Sequence, residues 1–184
     1  MMIVDLEATC FQNDDADKPE GWEASKDQEI TEIGAVIYNL PERRIEIEKS
    51  FFVRPDGPLG EFCKELTDLS FDDVKDQPNL EDTLKDMKAW CKEHKFDLGQ
   101  QPWGSWGDYD RVQLFRECAR KRLQYPFSRA HYNIKGLFSI MQNRSKGFGV
   151  GAALSILDME FDGRPHRGVD DARNIANIFS RVMR

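Results

Sequence analysis

The sequence predicts an α/β or α+β sheet domain, and three observations carry that reading. An apolar strand opens the chain, two β-rich segments then flank a turn, and from Leu80 onward the apolar spacing becomes helical. The length of 184 residues suits one domain with a single core, spanning 1–184.

Each element follows from its local pattern. Met1-Met2-Ile3-Val4-Asp5-Leu6-Glu7 reads as a short strand that begins with four apolar residues. Residues 12–28 are acidic and polar, contain Pro19 and Gly21, and read as an exposed loop. Ile30 to Leu40 and Ile45 to Val53 flank Pro41-Glu42-Arg43-Arg44 as an antiparallel hairpin. Pro55, Gly57, Pro58 and Gly60 then break the chain. Apolar residues at 80, 84, 87 and 91 predict a helix, with Asn79 as its N-cap. Pro102 to Trp106 predicts a short strand running into Gly107-Asp108-Tyr109-Asp110. The helix after it is expected to place Val112, Phe115 and Cys118 on one face. Further helices are predicted near 134–142, 150–157 and 169–183.

Composition removes several classes. No apolar run approaches the roughly 20 residues that cross a bilayer, so no membrane partner is expected. The N-terminus carries acids where a secretory signal carries bases. Cys10, Cys63, Cys91 and Cys118 are isolated, without the paired spacing of a structural zinc site or a disulfide framework. They predict a reducing, cytoplasmic setting.

The net charge of −7 argues at first against nucleic acid, but the charge is unevenly spread. Residues 1–100 hold 12 Lys+Arg and 25 Asp+Glu, a net of −13; residues 101–184 hold 14 and 8, a net of +6. Most of the latter bases are arginine, which forks onto phosphate oxygens. Net charge therefore excludes nothing, and phosphate is expected on one face only.

Asp5 and Glu7 are two apart on a strand, so both side chains leave one face. Asp110 opens a helix, where an acid also matches the helix dipole. His166 precedes the final helix, and Asp171 lies five residues on, in its first turn. Each residue has an ordinary structural explanation; together they suggest one site. Four carboxylates around a pocket repel unless cations neutralise them, and hard oxygen ligands favour Mg²⁺ or Mn²⁺. Two such ions can activate a water and stabilise a leaving oxygen, and a histidine can take the water's proton. These parts fit phosphodiester hydrolysis.

This set resembles the DEDDh family of 3′–5′ exonucleases, including RNase T and polymerase III ε-like domains. Within it, the branch of histone-mRNA 3′-exonucleases and bacterial KapD-like proteins is the nearer likeness. The stretches that carry it are Val4-Asp5-Leu6-Glu7-Ala8-Thr9-Cys10, Glu29 to Ala35, Phe62 to Thr67, and His166 to Asn174. The resemblance implies an RNase H-like α/β fold, a central mixed five-stranded sheet flanked by helices. It implies two Mg²⁺ ions, replaceable by Mn²⁺, on Asp5, Glu7, Asp110 and Asp171, with His166 as general base. Asp108 and Asp170 compete with their neighbours, but spacing favours Asp110 and Asp171. The implied substrate is the 3′ end of single-stranded RNA or DNA; no protein partner is indicated.

For the terminal nucleotide, the turn Ala8-Thr9-Cys10-Phe11 is expected at the sugar. Phe62 and Tyr109 are stacking candidates, Phe62 with core packing as its alternative. Arg167, with Arg111, Arg164 and Arg173, is a candidate for phosphate contact. His94 and His131 have no motif support. The rival readings are a non-catalytic nucleic-acid-binding module, a polymerase-docked proofreading subunit and a metal phosphatase.

Overall fold

Alternation along the first strand explains the layering. In the computed structural model, which describes residues 1–183, β1 (Met2–Ala8) sits at the centre of a five-stranded sheet. Met2, Val4 and Leu6 point into the larger core, and Ile3 points to the opposite face. Asp5 and Glu7 share that opposite face by the same alternation.

The predicted hairpin is β2 (Ile30–Asn39) and β3 (Arg44–Phe52), antiparallel to each other, with β2 antiparallel to β1. On the other side of β1 run β4 (Trp103–Ser105) and β5 (His131–Asn133), both parallel. The order is β3-β2-β1-β4-β5, the mixed sheet expected. β5 has no three-residue signal of its own in the sequence; its pairing with β4 defines it.

One face is covered by α4 (Leu80–Glu93) and α5 (Tyr109–Arg120), whose Leu84, Met87, Trp90 and Leu114 fill the larger core. Asn79 caps α4 as expected, its side chain accepting from the Asp82 amide. The other face receives α8 (Gly168–Val182) through Ala172, Ile175, Ala176 and Phe179. Outside it, α6 (Ile134–Met141) and α7 (Val150–Ile156) close a smaller cluster around Phe138 and Leu154. No described helix is long and apolar enough to cross a membrane.

Three expectations need correction. The polar stretch 12–28 contains a short helix, α1 (Ala24–Asp27). Past the Pro/Gly break lie α2 (Glu61–Thr67) and α3 (Phe71–Val74), too short for their periodicity to stand out. The third concerns α5, which is rotated from the face its apolar residues predict. Val112 and Phe115 are exposed, whereas Asp110, Gln113, Leu114, Glu117 and Cys118 are buried. Long-range hydrogen bonds override the apolar pattern: Asp110 accepts from the Leu6 amide, Gln113 donates to the Gln28 carbonyl, and Glu117 accepts from the Ile30 amide.

Candidate active site

The carboxylates of Asp5 and Glu7 on β1 meet that of Asp171 from the first turn of α8. One oxygen from each lies within 4.8 Å of the others. Close backbone approach makes this meeting possible. Gly34 on β2 faces the start of α8, and a Cβ on Gly34 would lie 1.9 Å from the Gly168 carbonyl carbon. Only glycine allows α8 to enter so near the sheet.

Asp171 also fixes the preceding loop, since its Oδ2 accepts from the His166 amide at 2.7 Å. His166 is exposed and holds φ +63°, a left-handed conformation costly for a non-glycine residue. Its side chain thus stands at the rim of the acidic group. Asp170 turns elsewhere, accepting from the Arg164 amide and from Arg173. The competition between Asp170 and Asp171 is resolved by these partners.

Asp110 lies outside the three-oxygen group but beside it. Its Oδ1 accepts from the Leu6 amide at 3.0 Å, between Asp5 and Glu7 in the chain. Asp108, its competitor, is exposed and pairs with Arg111 and Asn133.

The electrostatics are those of anions held together without a counter-charge. Burial, then the charges of Asp110, Asp171 and Glu7, holds Asp5 well above the usual carboxylate range. Burial, then Asp171 and Glu32, pushes Glu7 up to about 8. Asp110 is raised to about 6 and Asp171 is raised as well, burial leading in both. A carboxylate group in this condition fits a divalent cation, whose charge would offset the repulsion and whose hardness matches oxygen donors.

The turn after β1 is more constrained than expected. Thr9 is 2% exposed; its amide donates to the Glu29 carbonyl and its Oγ1 accepts from the Glu29 amide. Thr9 therefore braces the turn through both its amide and its hydroxyl. Ala8 is buried, its carbonyl facing the Cys63 thiol at 3.7 Å. Cys10 sits beside Cys63, and Phe11 packs edge-on against Trp22 with centroids 5.0 Å apart. Phe62 is partly exposed on the first turn of α2 and outside the packed clusters that take Cys63. Tyr109 is 47% exposed, its hydroxyl 3.2 Å from Gln28 Oε1.

The arginines are mostly engaged. Arg173 forks onto Glu48 at 2.8–2.9 Å and reaches Asp170, so its place is structural and not at a phosphate. Arg164 pairs with Asp68, and Arg111 with Asp108. Arg167 donates from Nε to Glu32 and lies over the Phe52 ring at 5.3 Å.

Glu32 itself was missed by sequence reasoning. It stands opposite Glu7 in the β1–β2 register, fully buried, and also accepts from Ser50 Oγ at 2.6 Å. Its signal was available: a glutamate within the strand Ile30-Thr31-Glu32-Ile33-Gly34-Ala35-Val36, which carries no other charge, needs a partner when buried.

Comparison with known proteins gives the family. An exonuclease family model (RNase T) matches residues 2–179. The chain is 32% identical over 194 residues to 3'-5' exoribonuclease 1 of Rattus norvegicus, covering 98% of this chain and 52% of the relative. It is 30% identical over 203 residues to ERI1 exoribonuclease 2 of Xenopus laevis, covering 100% of this chain and 28% of the relative. It thus spans about half or less of the length of these curated relatives. Among solved structures, the nuclease domain of 3'hExo, a DEDDh family member bound to rAMP, superposes with a TM-score of 0.83. Identity there is 32%, over 98% of this chain and 89% of that one. The chain belongs to the RNase T exonuclease family, within its DEDDh group.

Proposed function

We propose that the protein is a 3′–5′ exonuclease that hydrolyses the terminal phosphodiester bond of single-stranded RNA or DNA, releasing nucleoside 5′-monophosphates. The observation that carries this reading is the group Asp5, Glu7 and Asp171, with Asp110 beside it and His166 at its rim. Relatives named as 3'-5' exoribonucleases and the 3'hExo nuclease domain bound to rAMP support the same chemistry.

Asp5, Glu7 and Asp171 would hold the metal, and Asp110 would complete the set; their oxygen chemistry suits Mg²⁺, with Mn²⁺ as a substitute. When bound, two such ions supply charge neutralisation at the scissile phosphate and lower the pKa of the attacking water. His166, exposed at the rim, takes the proton from that water. Phe62 and Tyr109 stack on the terminal base, each with surface open to solvent. A metal phosphatase would share the acids but has no need of an exposed aromatic such as Tyr109 next to Asp110. We also infer a cytoplasmic setting from the scattered thiols.

The test is digestion of 5′-labelled single-stranded RNA and DNA with Mg²⁺ or EDTA. Stepwise shortening from the 3′ end, abolished by EDTA, is expected. His166→Ala should slow turnover about 10²–10⁴-fold while the oligonucleotide still binds. Internal cleavage products, or unchanged turnover in that variant, would overturn the assignment.

A further inference from the structure

The rotation of α5 leaves an unusual surface. Its outward face carries Phe115, 60% exposed, and Val112, 49% exposed. With Tyr125, Arg111, Arg129 and His131, they line a groove of about 690 Å³. No acidic side chain lines it, although the protein is net negative. Phe115 meets Tyr125 edge-on at 5.8 Å, so the groove presents two aromatic rings. The Tyr125 hydroxyl is buried in its wall without a hydrogen-bond partner among the described residues. Arg129 makes no ion pair among the described residues, unlike the arginines nearer the site.

The groove also reaches the catalytic end of the molecule. His131 Nε2 lies 2.9 Å from Ser105 Oγ, at the end of the strand that leads into the turn before Asp110. Arg111 directly follows Asp110 on α5. A ligand leaving the acidic group along this side therefore meets cations and aromatic faces in succession.

We propose that this groove is a track for single-stranded nucleic acid upstream of the 3′ end. Arg111 and Arg129 would meet backbone phosphates, and Phe115 and Tyr125 would stack on bases. An exposed Phe115 near Arg129, which has no acidic partner among the described residues, suits a flexible, stackable polyanion, and Arg111 would exchange its solvent-exposed pairing with Asp108 for a phosphate. A protein partner would also cover Val112 and Phe115. Charge complementarity and continuity with the Asp110 end favour the polynucleotide. The inference rests on the exonuclease reading for its substrate, but binding in the groove does not depend on cleavage.

Two measurements test it on the full chain. In the first, kcat/KM is compared for oligoadenylates of two and eight nucleotides with Mg²⁺, in wild type, Phe115→Ala and Arg129→Gln. The variants are expected to lose about tenfold on the eight-nucleotide substrate and nothing on the dinucleotide, the size of one lost stacking or phosphate contact. In the second, fluorescence anisotropy follows the labelled eight-mer in EDTA across a salt series. Arg129→Gln should flatten the slope of log K against log salt by about 0.7, one released counterion for a single strand. Equal losses at both lengths, or no change in either measurement, would overturn the track and leave the face to a protein partner. If wild type cleaves nothing yet these variants weaken eight-mer binding, the track stands and the exonuclease reading falls.

Discussion

Arg167 Nε donates to Glu32 Oε2 across 3.2 Å, tying the residue after His166 to a carboxylate with no exposure. The loop that presents His166 is therefore anchored from below, through β2, as well as by its own amide bond to Asp171. Arg167→Ala leaves Glu32 with only Ser50. We expect a loss of about 1–2 kcal/mol, below the 3–5 of a fully buried pair because Arg167 is partly solvated. Turnover should fall while KM changes little. Adding Glu32→Gln should recover part of the stability, read by urea denaturation in a double-mutant cycle. Additive losses would show that the two side chains are not coupled.

Stability without metal should fall as pH rises. Glu7 ionises near 4.5 when unfolded but near 8 when folded. The stability this proton contributes is complete below about 4.5 and is lost as pH climbs through 8. Asp5, Asp110 and Asp171 shift in the same direction. The melting temperature in EDTA should therefore drop between pH 5 and 8. Mg²⁺ at 100 times its Kd should restore about 2.7 kcal/mol at pH 8, or about 5–10 °C for a domain of this size. The restoration should shrink toward pH 5, where protons compete. A metal increment independent of pH would contradict the carboxylate site.

Asp171→Asn removes one of the mutually repelling charges yet keeps an oxygen to accept from the His166 amide. This variant should melt higher than wild type in EDTA, show little further rise with Mg²⁺, and lack exonuclease activity. Calorimetry with and without metal separates these effects. Full metal stabilisation in Asp171→Asn would remove this residue from the ligand set.

Gly34→Ala should act through α8, although Gly34 stands opposite Asp5 in the β1–β2 register. The added methyl would meet the backbone of Gly168 at 1.9 Å and the Val169 nitrogen at 2.2 Å, and neither can rotate away. We expect at least about 3 kcal/mol of destabilisation. The folded fraction should bind Mg²⁺ poorly because α8 carries Asp171. Equilibrium unfolding with a metal titration checks both; a stable variant with normal metal affinity would show that α8 need not sit so close.

Local periodicity made much of this molecule legible. The period of two put Asp5 and Glu7 on one face of β1, and the hairpin, the Asn79-capped helix and the final amphipathic helix all fell where their patterns placed them. The spacing placed His166 before the final helix and Asp171 in its first turn, where the Asp171 carboxylate accepts from the His166 amide.

The sequence by itself determined the strand that bears two acids, the helix that bears a third, and the resemblance that joins them. Only the tertiary structure decided which polar residues are buried and with whom. Asp110 and Glu117 face inward because amides 104 and 87 residues away need acceptors. That turns Val112 and Phe115 outward, against their apolar pattern. Arg173 belongs to Glu48, 125 residues distant, and Arg167 to Glu32, 135 distant. Burying a polar group is favourable only with its partner in place, and the partner is supplied by the fold rather than by neighbouring sequence.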